Sequence, residues 1–299
     1  MRRVSALIFA LAICLPLFAQ FNQDLDATKG RRKASSRDDQ IWHPEAANVS
    51  YKRAGNVSLT TASRYGLTEN WELSTYLAFD FFQPNVMAKY RWTRHPKFWY
   101  LSSKINIGNA YPGLKFAQKH GYESFATSED TLPVVGEFGH ELILSRAISS
   151  DINCSDGSIW LILTASLGTY WGIEMRSGTL GLIPYHFLAN RSEVLTNRGF
   201  LASLKLWADW KATNWLLVHG GMRFHNRSLE RNFAFELQAE AEVFVIPEFS
   251  ARVGGALSLA NYPGVDKKVG GVPIVDLTYY FGKRKSKERD LFNPNGRLY

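Results

Sequence analysis

Residues 233–245 read Phe-Ala-Phe-Glu-Leu-Gln-Ala-Glu-Ala-Glu-Val-Phe-Val, an alternation that holds for the length of a long strand. Successive strand side chains leave opposite faces. Phe233, Phe235, Leu237, Ala239, Ala241, Val243 and Val245 therefore share one face, and Glu236, Gln238, Glu240 and Glu242 share the other. A strand greasy on one side and multiply charged on the other suits a barrel with lipid outside and a polar interior.

The same period recurs along the chain. Val86, Ala88, Tyr90 and Trp92 oppose Asn85, Lys89, Arg91 and Thr93; Trp99, Leu101, Ile105 and Ile107 oppose Ser102, Lys104 and Asn106. Ala202, Leu204, Leu206, Ala208 and Trp210 oppose Ser203, Lys205 and Asp209, and Phe249, Ala251, Val253, Leu257 and Leu259 oppose Ser250, Arg252 and Ser258. Trp71, Leu73, Leu77 and Phe79 extend the pattern over 71–80. Trp71, Trp92, Trp99, Trp210 and Trp215 flank short polar turns, as an aromatic girdle at one membrane face requires.

Residues 1–19 read as an export signal: Arg2 and Arg3, an apolar run from Ala6 to Phe18, then Ala19. Removing it takes away Cys14 and leaves Cys154 alone, so no internal disulfide is expected. Residues 20–45 are polar and charge-rich and read as a flexible leader. The full chain carries a net +8, but the excess concentrates in the basic tail 283–299, with six basic and two acidic residues. A nearly balanced body with a basic tail makes a poor nucleic-acid surface, and export removes that partner.

Placing the short turns 66–70, 94–97, 211–214 and Pro247-Glu248 at one end requires long outer loops at 109–131 and 172–198. It also requires a first strand near Ala47–Arg53, before one at Asn56–Tyr65, and makes Thr179–Phe187 non-spanning. The expectation is an all-β, up-and-down antiparallel transmembrane barrel over 46–282, of about twelve strands, with ten or fourteen as alternatives.

The final strand closes on Asp276-Leu277-Thr278-Tyr279-Tyr280-Phe281. Together with the signal, the alternation and the girdle, this resembles bacterial outer-membrane β-barrel proteins. An 18-residue tail follows Phe281, where many members of that family stop. The resemblance covers about residues 46–282 and implies residence in the outer membrane, contact with its lipid and delivery by the barrel assembly machinery. It assigns no reaction.

Inside such a barrel, Glu236, Glu240 and Glu242 lie between strands offering His219, Arg223 and Arg252. These six are the expected lumen lining, either as an ion-pair network that fills and stiffens the interior or as a selectivity lining. A lipid-modifying alternative comes from His225-Asn226-Arg227-Ser228, which is similar to the His–Ser pair of outer-membrane phospholipase. The spacing is three where that family has two, which sends His225 and Ser228 to opposite faces of a continuous strand. Leu229 also stands where Asn is expected. A third reading, a soluble secreted barrel binding a small apolar ligand, predicts apolar residues facing inward. No phosphate loop, dinucleotide fingerprint or His ligand spacing occurs, so neither cofactor nor metal is expected.

Overall fold

The computed structural model describes residues 42–80, 82–94, 99–123, 125–149, 159–180, 199–213, 215–227, 233–246, 248–261 and 269–282. The signal 1–19, the leader to residue 41 and the tail 283–299 lie outside the described residues. Twelve antiparallel strands follow in order: β1 Gly55–Ser58, β2 Ser63–Gly66, β3 Trp71–Thr75, β4 Asn85–Arg94, β5 Trp99–Asn109 and β6 Val134–Ser149. The rest are β7 Ile159–Arg176, β8 Gly199–Lys211, β9 Leu216–Arg227, β10 Phe233–Ile246, β11 Phe249–Asn261 and β12 Val269–Phe281. Each pairs with its chain neighbour, and β1 pairs with β12 to close the barrel.

This connectivity defines two ends. The turn end holds the connections at 67–70, 95–98, 150–158, 212–215 and 247–248, together with Gly55 and Phe281 where the sheet begins and ends. All four short turns expected to share an end do so. The loop end holds the connections at 59–62, 76–84, 110–133, 177–198, 228–232 and 262–268.

The count of twelve is reached differently from the sequence expectation. Ala47–Arg53 forms no strand, and the run Asn56–Tyr65 is two strands, β1 and β2. The carboxylate of Asp276 folds the chain between them. It accepts from the backbone N–H groups of Leu59 and Thr60 at 2.9 Å each, from Thr61 Oγ1 at 2.6 Å, and from Ser58 Oγ. The strand expected over 71–80 stops at Thr75, and α1 (Leu77–Asp80) follows. There Thr75 Oγ1 donates to Asp80 at 2.7 Å, and Asn85 Nδ2 donates to the same carboxylate at 2.9 Å. The long loop expected at 109–131 carries α2, Tyr111–Lys119. In the other, β7 continues to Arg176, and 181–198 lie outside the described residues.

The barrel is polar within and apolar without. On β10, Glu236, Glu240 and Glu242 are buried, whereas Phe233, Leu237 and Val245 are exposed. Leu204, Leu206, Leu257, Val253, Ile107 and Val86 extend the exposed apolar belt around the wall. Trp71, Trp92, Trp99 and Trp210 stand exposed at the turn end, with Trp71 and Trp92 each packing on Tyr90 at centroid distances of 4.8 and 5.0 Å. Outward apolar faces overturn the soluble apolar-ligand reading, which needs them inside.

Candidate functional site

The lumen is occupied by the chain itself. Residues 42–50 enter it in an irregular path, and Trp42, His43, Glu45, Ala46, Ala47, Asn48, Val49 and Ser50 are buried. Residues 42–45, which the composition places in the leader, are thus inside the barrel. At the turn end, Trp42, Ala46 and Ala47 pack with inward-facing Tyr100, Ile143, Ala147, Ile162, Leu217, Phe244 and Tyr280. This apolar cluster lies in the bore there, its hydrophobic side chains withdrawn from water.

Above it, charge and hydrogen bonds hold the segment. Lys89 on β4 donates from Nζ to the carbonyls of Pro44, Ala46 and Asn48 at 2.7, 2.9 and 3.2 Å, and lies 3.5 Å from Glu72. Glu72 accepts from Ser50 N at 2.7 Å and Ser50 Oγ at 2.8 Å. Ala47 N donates to Ser145 Oγ at 2.9 Å, and the His43 ring stacks on Trp207 at 4.5 Å. The Glu45 carboxylate pairs with Lys205, with Lys104 at 3.5 Å and with Arg223 at 3.3 Å. Burial opposes the ionised form of Glu45, but these three cations override it and hold its carboxyl well below the usual carboxylate range. Burial, aided by the charges of Arg252 and His219, keeps the His43 imidazole well below its ordinary range.

The wall network follows from strand register. Lys104 stands directly opposite Glu141, at 2.8 Å, and Arg223 opposite Glu236, at 3.5 Å. Arg252 stands opposite Glu242, at 2.8 Å, and reaches diagonally to Glu240 at 3.2 Å. Glu242 also accepts from Ser250 at 2.5 Å and Tyr280 at 2.7 Å, and lies 3.1 Å from His219 Nε2; His219 Nδ1 meets Asp209 at 2.7 Å. Tyr170 reaches Glu141 by lying across Gly139, where a Cβ would sit 2.5 Å from the ring. A glycine is required there by that close approach.

His219, Arg223, Glu236, Glu240, Glu242 and Arg252 thus all face the lumen, in two groups: Arg223 with Glu236, and His219 with Arg252, Glu240 and Glu242. His225 is buried in the lumen, 3.7 Å from Glu236, on the side of the wall away from the exposed apolar face. Ser228 lies outside the described residues. Sequence reasoning left Lys89, Lys104, Glu141 and Lys205 out of the site although their strands alternate plainly. It had no periodic signal for Glu45, whose segment is not a strand.

Between this floor and the loop end lies a cavity of about 520 Å³. Pro44 and Glu45 form its base, Lys104, Lys205, Arg223 and Glu141 its lower wall, and Thr60, Asn85, Asn106, Gln238 and Ile274 line it further up.

No protein-family model matches the chain, and no curated protein does. Among solved structures, the anion-selective porin from Comamonas acidovorans is similar over 74% of this chain and 58% of its own length, at 9% identity and a TM-score of 0.36. A KdgM porin in complex with disordered oligogalacturonate is similar over 77% and 97%, at 6% identity and 0.39. OmpT of Vibrio cholerae is similar over 76% and 64%, at 8% identity and 0.39.

Proposed function

We propose that the chain is a bacterial outer-membrane barrel acting as a narrow channel, held shut by its own residues 42–50. Membrane residence is supported by the exposed apolar belt, the charged interior, the aromatic ring at the turn end and the longer connections at the opposite end. Lipid then covers Leu204, Leu257 and their neighbours, and the final strand ending Tyr279-Tyr280-Phe281 serves the barrel assembly machinery. The turn end faces the periplasm and the loop end the exterior.

One observation carries the channel reading. Among the described residues, every hydrogen bond between 42–50 and the wall uses a wall side chain, never strand backbone. Backbone pairing with the sheet begins after residue 50, at the bridge between Lys52 and Gly66, where the Arg53 N–H donates to the Gly66 carbonyl at 2.8 Å. Residues 42–50 can therefore leave without breaking a rung of the barrel, and what they vacate is lined by charge.

The test is single-channel recording of the refolded full chain in planar bilayers. Wild type is expected to be closed with brief openings, and Glu45→Gln to open at least tenfold more often. A Glu45→Gln barrel that inserts and stays silent refutes the channel.

A further inference from the structure

Lys205 on β8 and Arg223 on β9 stand directly opposite one another, and Lys89 on β4 stands directly opposite Lys104 on β5. Like charges at facing positions of a sheet are destabilising unless an anion lies between them. The wall supplies part of that compensation. Glu141 takes Lys104 and Lys205, Glu236 takes Arg223, and Glu72 takes Lys89. Glu141 thus serves two cations, and the further carboxylate beside Lys104, Lys205 and Arg223 is Glu45, from residues 42–50.

We infer that Lys104, Lys205 and Arg223 form a carboxylate-binding site in the lumen, which Glu45 fills in the closed state and a small organic acid fills when residues 42–50 withdraw. The inference rests on the channel reading above. Three side chains from three strands converge on one carboxylate, and Arg and Lys both make charge-assisted hydrogen bonds to carboxylate oxygens. Glu45 lies at the base of the cavity, so a solute coming from the loop end meets this site before the apolar floor. The other carboxylates lining the cavity are already engaged: Glu240 with Arg252 at 3.2 Å, and Glu137 with Asn106 at 2.8 Å and Gln83 at 3.1 Å. The amides of Asn85, Asn106 and Gln238 above already donate to Asp80, Glu137 and Glu240, so what the site selects is the carboxylate itself. Glu45 then acts as a tethered competitor, and the acid favours the open state by taking its place.

The test uses the refolded full chain in detergent micelles with gluconate as probe, read by calorimetry. Glu45→Gln is expected to bind gluconate at least tenfold more tightly than wild type, and Glu45→Asp to stay close to wild type. Adding Arg223→Met to Glu45→Gln should abolish the gain, and mannitol, which lacks the carboxylate, should not bind. Equal gluconate affinity in wild type and Glu45→Gln, with strand circular dichroism intact, overturns the site. The two readings separate cleanly. A Glu45→Gln channel that conducts without anion preference and without binding gluconate overturns the site and leaves the channel. Gluconate binding by a silent barrel supports the site and removes the channel.

Discussion

Replacing Lys89 by Met leaves three carbonyls of the lumen segment without their donor. Hydrogen bonds to a charged group contribute about 1.5–3 kcal/mol each, but the sum overstates the effect, because a buried ammonium has also lost several kcal/mol of hydration. Truncating one member of a buried charged set costs roughly 3–5 kcal/mol. Some of that falls on the barrel itself, through Glu72, whether or not residues 42–50 are in place. The share that falls on docking alone is the three carbonyl contacts, which water replaces once the segment leaves. We take this as about 3 kcal/mol, which multiplies the undocked population roughly a hundredfold. Asn48→Cys, with Cys14 and Cys154 changed to Ser, places a thiol on a buried position of the segment. Its labelling rate by a small maleimide reports the undocked fraction when opening is fast relative to labelling. Lys89→Met should raise that rate about a hundredfold with the strand spectrum unchanged. Rates equal within about threefold would mean that Lys89 does not hold the segment, and the account of its retention by side-chain donors fails.

Acid should loosen the same segment. Both His43 and Glu45 have depressed values when docked, so the stability they lend is present at neutral pH and lost as pH falls, first through His43 below about 6.5 and then through Glu45 below about 4.5. Between pH 7 and pH 5 the undocked fraction should rise by up to about twentyfold, a dependence that His43→Gln removes, measured by the same labelling. Leu257→Arg places a charge on the exposed apolar belt near the middle of β11 and should cost about 2–4 kcal/mol in urea titrations of vesicle-folded protein; no loss there argues against lipid on that face. Asp276→Ala removes the acceptor that turns β1 into β2 and should destabilise the barrel by about 2–4 kcal/mol, seen as a lower urea midpoint. Gly139→Ala should displace Tyr170 from Glu141, read as a changed tyrosine emission with the fold retained.

Much of this barrel is written in a period of two. The alternation over 233–245 assigns Glu236, Glu240 and Glu242 to the lumen with no structure at all, because a continuous strand has only two faces. Register supplied what alternation lacks: that Arg252 meets Glu242 directly, and that Lys205 faces Arg223. The division of 56–65 was hidden because Val57, Thr60 and Thr61 all favour strands, and the turn depends on a carboxylate more than two hundred residues away. Residues 42–50 were hidden for a similar reason. Their structure is imposed by the cavity they enter, and no local period or cap encodes it. The buried Trp42 beside Ala46 and Ala47, at the edge of a charge-rich stretch, was the trace available.

The central claim, that residues 42–50 close a conducting lumen, is tested most directly by locking them in place. Ala47 N meets Ser145 Oγ at 2.9 Å, so cysteines at 47 and 145, with Cys14 and Cys154 changed to Ser, offer a disulfide from segment to wall. In planar bilayers carrying Glu45→Gln as well, the oxidised protein should be silent and dithiothreitol should release steady openings. Openings that are the same before and after reduction, with the disulfide verified by mass, would contradict it.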